Sequence, residues 1–132
     1  MSIFTKIING EIPSYKILED EKHLAFLDVR PLKEGHVLCI PKKENDYIFD
    51  LTDSELSELI LFSKKVALAL KKSISCNRIG MAVVGLEVPH THIHLVPIDE
   101  IADLDFSKKR PEFSQEDFKN IAKKIRQNFD KK

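Results

Sequence analysis

Three histidines alternate with apolar or β-branched residues in the segment His90-Thr91-His92-Ile93-His94-Leu95-Val96. A period of two residues is that of a β-strand, whose successive side chains point to opposite faces, so we expect the three imidazoles on one face of one strand. Same-face neighbours lie about 6.6 Å apart, which separates His90 from His94 by about 13 Å. The pattern therefore predicts a row of exposed rings on a strand at the edge of a sheet.

A row of imidazoles this long suits some ligands better than others. Zinc holds imidazole nitrogens at about 2.0 to 2.1 Å, so one straight strand cannot readily bring three rings to one ion. The spacing suits an extended polyanion such as a phosphate chain, with one neutral ring to attack phosphorus and its neighbours to donate protons or hydrogen bonds. Solvated surface histidines are the simpler alternative, but three of the chain's five histidines share this one run.

Four segments of the chain together resemble the histidine triad (HIT) family of nucleotide-binding proteins and hydrolases. The signature of that family is His-x-His-x-His-x-x with apolar x, which residues 90–96 match. Three earlier segments match in order and spacing, namely residues 2–13, 25–29 and 35–43. The resemblance covers residues 2–98 and implies a nucleotide-binding α+β domain.

The hydrophobic pattern is consistent with that fold class. Apolar residues at helical spacing predict a short first helix that ends at Asn9-Gly10. Alternating or apolar runs bounded by turn residues predict five antiparallel strands, at residues 15–18, 23–29, 35–40, 77–84 and 90–98. We therefore expect a five-stranded antiparallel sheet with a long helix packed on it. We expect residues 2–107 to form the HIT-like domain and residues 108–132 to form a C-terminal helical extension of the same domain.

Two later helices begin at recognisable caps. Thr52-Asp53-Ser54-Glu55 has the form of a capping box, and Ser114-Gln115-Glu116-Asp117 has the form of a helix start. The first of these helices should run to about Lys72, with one apolar face formed by Leu56, Leu59, Ile60, Ala67 and Leu70. Leu61, Phe62 and Val66 widen its apolar surface, which fits either a deeply buried helix or one covered by a second subunit. Because members of the family are usually two-fold dimers, the resemblance favours a homodimer.

Composition limits the remaining possibilities. A length of 132 residues suits one domain, and 42% apolar residues suffice for a core. The 21 basic and 21 acidic residues balance, so no net field draws the chain to a nucleic acid polymer. Without a long apolar run or a signal segment, we expect no membrane association and a cytoplasmic location. Cys39 and Cys76 are too few for a disulfide framework, so both should be reduced.

The triad indicates how roles divide among the histidines. His92 is the best-placed nucleophile because same-face histidines flank it on both sides. The resemblance implies the same role, through a nucleotidyl-histidine intermediate, with His94 contacting the phosphate or leaving group. It also implies that His90 and His36 support and orient the nucleophile, although His36 could simply be satisfied at a strand start. His23 has no such setting, and we expect it to be exposed before a strand.

A nucleoside should bind through an apolar slot for the base and a carboxylate for the ribose hydroxyls. The resemblance assigns the carboxylate to Asp28, which could otherwise be an unliganded surface residue. It places seven apolar residues around the base, which could otherwise be plain core: Ile3, Phe4, Ile7, Ile12, Phe26, Leu27 and Val29. Three further nucleotide-binding candidates are Asn77, Gly85 and Glu87.

The chain departs from the family pattern in three places. Ser2 and Thr5 replace the Cys-x-x-Cys with which many bacterial members bind zinc, and hydroxyls are poor zinc ligands, so we expect no structural metal and no cofactor. Leu86 and Glu87 follow Gly85 where well-studied members have Gln and then a hydroxyl residue. Glu87 could repel a phosphate or favour a cationic amine. The region after Pro97 also differs from the short C-terminus of the phosphoramidase branch.

The third histidine of the triad favours hydrolysis, because the transferase branch of the superfamily carries Gln where this chain has His94. We therefore expect a hydrolase that cleaves the α-phosphate bond of a purine nucleoside phosphoramidate or AMP ester. Hydrolysis of dinucleoside polyphosphates is the enzymatic alternative. Two alternatives from other classes are a non-catalytic nucleotide-binding protein and a metal-binding protein that uses His90, His92 and His36.

Overall fold

The computed structural model describes residues 1–129, which form five strands and three α-helices. The strands β1 to β5 are Lys16–Glu19, His23–Leu27, Val37–Pro41, Arg78–Ala82 and Ile93–Ile98. The helices α1 to α3 are Ile3–Ile8, Asp53–Ser73 and Gln115–Arg126. The last three residues of the predicted extension 108–132 lie outside the described residues. Within the described part, no helix has both the length and the apolar character needed to cross a bilayer.

The five strands form one antiparallel sheet in the order β1-β2-β3-β5-β4, which confirms the predicted α+β fold. The strand that carries the end of the triad is nevertheless not an edge strand. His94 on β5 pairs with Leu38 on one side and with Ala82 on the other. The prediction of an edge strand was therefore wrong, because β4 returns along the outer side of β5.

The triad segment is also less regular than predicted, since β5 begins only at Ile93. Pro89 has no N–H to donate, and the N–H groups of the next two residues donate to carbonyls outside the sheet. The His90 N–H donates to the Val88 carbonyl at 2.8 Å, and the Thr91 N–H donates to the Asn45 carbonyl at 2.6 Å. Of the three histidines, only His94 therefore lies on a regular strand.

The other predicted strands were also too long where the chain turns. The strand predicted at 23–29 ends at Leu27, because the next carboxylate, Asp28, turns the chain by accepting the Arg30 N–H at 2.8 Å. The strand predicted at 35–40 begins at Val37, because Gly35 has a φ of +87°, which lies outside the extended region. Both turns adjoin the histidine segment and shape its surroundings.

Hydrophobic side chains form a core on each face of the sheet. The larger core lies between the sheet and the helices α2 and α3, and the smaller one lies under α1. Strand β2 contributes to both, because its alternate residues face opposite ways. Ala25 and Leu27 belong to the larger core, whereas Leu24 and Phe26 belong to the smaller one.

Helix α2 begins at the predicted capping box. The Thr52 hydroxyl accepts the Glu55 N–H at 3.1 Å, and the Glu55 carboxylate accepts the Thr52 N–H at 2.9 Å. Most of its predicted apolar face packs on the core, since Leu59 and Leu70 are buried and Leu56 and Ala67 are partly buried. Ile60 is exposed instead, while Phe62 and Val66 are buried. Leu61 is 65% exposed in this single chain, so the two-fold dimer stays a prediction, which sedimentation analysis would test.

Candidate active site

A cleft of about 330 Å³ opens beside the histidines, which is within the size range of small-molecule sites. Helix α1, the turn after β2, the segment 84–88 and the loop 106–110 form its walls. Eight of the site residues predicted from the sequence line it: Ile3, Phe4, Asp28, Val29, Gly85, Glu87, His92 and His94. The structure thus brings two of the three triad rings and the predicted ribose carboxylate to one cavity.

His92 is held with a defined nitrogen available for chemistry. Its Nδ1 lies 2.7 Å from the backbone carbonyl oxygen of His90, so Nδ1 carries the proton and the Nδ1–H donates a hydrogen bond to that oxygen. The other nitrogen, Nε2, then has a free lone pair. The ring is only 5% exposed, and it packs edge-on against Phe4 at 5.0 Å and against His94 at 4.8 Å between ring centroids. The prediction of exposed rings was therefore wrong, because Phe4 and neighbouring rings cover the triad.

A second hydrogen-bond chain fixes His94. The Leu32 N–H donates to His36 Nδ1 at 3.0 Å, so the proton of the neutral His36 ring is on Nε2. That Nε2–H donates to His94 Nδ1 at 3.0 Å, which leaves His94 with an Nε2–H of its own. His36 was predicted to support the nucleophile His92, but its hydrogen bond goes to His94, and it does not line the cleft.

Burial keeps the imidazole rings of His36 and His94 neutral. Loss of solvation, followed by the charges of Arg110 and His92, lowers the pKa of His36 from 6.5 to about 3. Loss of solvation, followed by the neighbouring His36 and His92, lowers the pKa of His94 from 6.5 to about 3 as well. Near neutral pH, His94 therefore acts as a neutral hydrogen-bond donor towards the cleft.

His90 lies behind the cleft rather than in it. Its Nε2–H donates to the Pro41 carbonyl at 2.8 Å, and its Nδ1 accepts the Ser2 hydroxyl at 2.7 Å. Glu44 accepts both the Ser2 N–H and the Thr5 hydroxyl at 2.6 Å. Burial is the main cause of a lowered pKa for the His90 ring. His90 thus holds its own carbonyl oxygen in place under His92.

Asp28 is positioned to accept hydrogen bonds from a ligand. One carboxylate oxygen accepts the Arg30 N–H at 2.8 Å, which fixes the side chain in the turn after β2. The second oxygen, Oδ2, lies 3.7 Å from His36 Nε2, beyond hydrogen-bond distance. With a side chain that is 16% exposed, Asp28 therefore retains acceptor capacity at the wall of the cleft.

Four apolar residues predicted to surround the base do not line the cleft. Ile7 and Phe26 are buried in the smaller core, and Ile12 packs against it. Leu27 points to the opposite face of the sheet, into the larger core, because neighbouring strand residues alternate. Of the seven predicted apolar residues, Ile3, Phe4 and Val29 line the cleft, and Leu38 lines it as well.

Two further residues lie away from the cleft. Asn77 precedes β4 at the end distant from His94, where its amide donates to the Asp99 carbonyl at 3.2 Å. His23 was expected to be exposed, but it is the first residue of β2 and only 6% exposed. Its ring stacks on Phe62 at 4.9 Å and bonds to Asp20 at 3.0 Å, so His23 is a structural residue of the helix-covered face.

Sequence reasoning missed Phe106 and Arg110, which form one wall of the cleft. The Phe106 ring packs edge-on against His94 at 4.8 Å, and the Arg110 guanidinium lies 6.0 Å from the centre of the Phe106 ring. Their segment shows no helix or strand period. An aromatic residue and an arginine in an irregular, lysine-rich stretch were the only available signal.

The residues able to share a metal ion include only one of the three considered from the sequence, His36. Within residues 1–129, the His, Cys, Asp or Glu group compact enough to do so is Asp28, His36 and His94, with ligand atoms within 4.8 Å of one another. His90 and His92 do not belong to it. Any metal there would compete with the hydrogen bond from His36 to His94, which already uses both facing nitrogens.

Comparisons with known proteins agree with this geometry. The HIT domain family profile matches residues 9–101. An uncharacterized HIT-like protein of Borreliella burgdorferi is 36% identical over 135 residues, covering 96% of this chain and 97% of that protein. Adenosine 5'-monophosphoramidase HNT1 of Saccharomyces cerevisiae is 38% identical over 96 residues, covering 72% of this chain and 61% of that enzyme.

A solved structure shares the fold over nearly the whole chain. The crystal structure of a Hit-like protein of Bartonella henselae superposes with a TM-score of 0.85 at 32% identity, covering 97% of this chain and 96% of that one. The matched profile includes His36, Asp28 and all three triad histidines. With sequence and fold in agreement, the chain belongs to the HIT family.

Proposed function

We propose that this protein is a nucleotide hydrolase that cleaves the α-phosphate bond of a purine nucleoside phosphoramidate or AMP ester. The observation that carries the proposal is the orientation of His92, whose Nδ1–H is bound by the His90 carbonyl so that Nε2 is free to attack. The similarity to adenosine 5'-monophosphoramidases of yeasts supports the substrate class.

In the proposed reaction, His92 Nε2 attacks the α-phosphorus and forms a nucleotidyl-histidine. The bond to the leaving group breaks, and its electron pair departs with that group, which takes up a proton. The attack places positive charge on the imidazole, and the carbonyl oxygen of His90 stabilises this charge through the Nδ1–H. Water then hydrolyses the phosphorus–nitrogen bond, which releases AMP and restores the neutral ring.

Two other groups support the same step. His94 presents its Nε2–H beside His92, where it donates a hydrogen bond to a phosphoryl oxygen or to the leaving atom. Asp28 accepts the ribose hydroxyls, while Ile3, Phe4 and Leu38 contact the base. The cleft thus holds a nucleotide between a carboxylate and a nucleophile that are both fixed by hydrogen bonds.

Hydrolysis of adenosine 5'-phosphoramidate tests the proposal. The wild-type protein should release AMP, and His92→Asn should lose activity by at least about 10³-fold. His23→Asn is the matched control, because His23 is also buried but lies away from the cleft, and it should retain activity once folding is verified by circular dichroism. Absence of AMP release by the wild-type protein, with AMP still bound, would favour a non-catalytic nucleotide-binding protein instead.

A further inference from the structure

One wall of the cleft comes from a segment beyond the residues that the family profile matches. Phe106 and Arg110 follow the matched range 9–101, yet both line the cavity that contains His92 and His94. Phe106 covers the His94 ring, and Arg110 covers Phe106. The part of the cleft next to His94 is therefore formed by a segment outside the family core.

The Arg110 guanidinium is held in a fixed position. One terminal nitrogen donates to the Arg30 carbonyl at 2.7 Å, and the other donates to the Phe106 carbonyl at 3.2 Å. A guanidinium has five N–H donors, so these two bonds leave three for other acceptors. The side chain is half-buried, and no carboxylate in residues 1–129 lies within ion-pair distance of it.

The space beyond Arg110 is open and mainly basic. A groove of about 840 Å³ adjoins the cleft and shares five lining residues with it, Val29, Arg30, Glu87, Phe106 and Arg110. Lys109 adds positive charge to this groove, and Lys108 adds less because its Nζ lies 3.8 Å from an Asp103 carboxylate oxygen. The carboxylates of two exposed residues, Glu87 and Glu112, oppose these charges. Glu87 lines both the cleft and the groove, but it is exposed and makes no hydrogen bond or ion pair with the described residues, whereas two hydrogen bonds hold the Arg110 guanidinium at the cleft.

We infer that Arg110 is a specificity-determining residue that binds the leaving group of the substrate and favours leaving groups that carry a carboxylate or phosphate. The inference rests on the proposed function for the identity of the cleaved bond. A planar guanidinium with free donors recognises such anions through paired, charge-assisted hydrogen bonds. Its position on the His94 side, together with the groove beyond it, gives the leaving group a path away from the α-phosphate.

Two compounds that differ in one charge test this inference. In each, AMP is joined through a P–N bond, in one to β-alanine and in the other to β-alaninamide, so that only the carboxylate differs. Affinities are measured in the His92→Asn background, so that turnover does not intervene. The chain with Arg110 should bind the carboxylate compound about tenfold more tightly than the amide. Adding Arg110→Gln should bring this ratio close to one.

Lys109→Gln is the matched control, because it removes a positive charge from the same groove without removing the guanidinium at the cleft, and it should preserve most of the ratio. Equal weakening of both compounds by Arg110→Gln would show that Arg110 only supports the loop, which would overturn the inference. An unchanged ratio, or no measurable binding of the carboxylate compound, would overturn it as well. Hydrolysis of both compounds by the wild-type protein is measured separately, and its absence would count against the proposed function alone.

Discussion

The Nδ1 atom of His92 lies 2.7 Å from the backbone carbonyl oxygen of His90, two residues earlier in the chain. This contact determines which nitrogen of His92 is free, because a carbonyl oxygen can only accept a hydrogen bond, so Nδ1 must carry the hydrogen. The His90 ring is in turn held by Pro41 and Ser2, so the carbonyl cannot easily turn away. The reactivity proposed for His92 therefore depends on a backbone atom that is itself fixed by side-chain hydrogen bonds.

Acid should destabilise the folded chain through His36 and His94. In the folded protein the pKa of each is about 3, against an ordinary value of 6.5 in the unfolded chain. Between these values the unfolded chain binds protons that the folded one does not, so the free energy of unfolding decreases as pH falls below 6.5. Each ring contributes up to about 2 kcal/mol between pH 6.5 and pH 5.

Urea unfolding at pH 5 and pH 7.5 measures this dependence. The wild-type protein should be clearly less stable at pH 5, and His36→Asn should show a shallower dependence because one of the two groups is gone. Equal pH dependence in the two proteins would mean that His36 is not held neutral by burial.

Replacing Asp28 should weaken nucleotide binding more than it slows chemistry. Asp28→Asn keeps an oxygen to accept the Arg30 N–H, so the turn is preserved, but it removes the ionised acceptor for the ribose. A hydrogen bond to a charged acceptor is stronger than a neutral one, so AMP should bind about tenfold more weakly, as measured by titration calorimetry.

Asp20→Asn provides the comparison for Asp28→Asn. Asp20 also accepts a backbone N–H two residues ahead, from Lys22 at 2.9 Å, but it lies on the helix-covered side of the sheet. Its substitution should leave AMP affinity unchanged. If Asp28→Asn bound AMP as tightly as Asp20→Asn does, the ribose assignment would be refuted.

Gly35 should tolerate substitution less well than Gly10, although both have positive φ values, +87° and +80°. An alanine at either position lowers the free energy of unfolding by about 1 to 2 kcal/mol, because its backbone must adopt the left-handed conformation. At Gly35 its Cβ would also lie 2.9 Å from a side-chain carbon of Ile74, which adds about 1 to 3 kcal/mol, whereas nothing lies within 4 Å at Gly10. Thermal unfolding of Gly35→Ala and Gly10→Ala would reveal this difference, and equal melting temperatures would contradict it.

A zinc site should be obtainable beside His90 by two substitutions. The Ser2 and Thr5 hydroxyl oxygens lie 2.7 and 3.5 Å from His90 Nδ1 and 3.2 Å from each other. Thiolates at both positions would place two sulfur ligands and one imidazole around a single point. S2C/T5C under reducing conditions should bind one zinc per chain and melt at a higher temperature with zinc than without it.

Metal analysis of the single variants S2C and T5C completes that test. Each retains one hydroxyl, a poor zinc ligand, and should not hold zinc through dialysis. Loss of zinc from S2C/T5C under the same dialysis would show that the three positions do not converge as described.

Local sequence signals were sufficient for much of the fold. The Thr52 and Glu55 pair predicted the first residue of α2 to within one position, because the hydrogen bonds of a capping box lie within a single helical turn. The position of β5 inside the sheet was not predictable in this way, since it depends on where β4 pairs. Pro89 was visible in the sequence, but its effect on His90 became clear only with the hydrogen bond of Thr91 to the distant Asn45.

Residue spacing alone predicted the candidate site only where residues are close in sequence, whereas Ile3, Phe4, Asp28 and Val29 were predicted from the family resemblance. His92 and His94 were identified because their spacing is local. The cover over them comes from Phe4 near the start of the chain and from Phe106 near its end, so their burial follows from long-range packing. Arg110 could not be identified, because its role depends on a carbonyl 80 residues away, that of Arg30.

Detection of the covalent intermediate tests the central claim most directly. The protein is mixed rapidly with adenosine 5'-phosphoramidate, quenched under alkaline denaturing conditions, and examined by intact mass measurement and peptide mapping. The account predicts a mass increase of one adenylyl group, located on His92 and absent from His92→Asn. Release of AMP with no adduct at any time point, or an adduct on another residue, would contradict it.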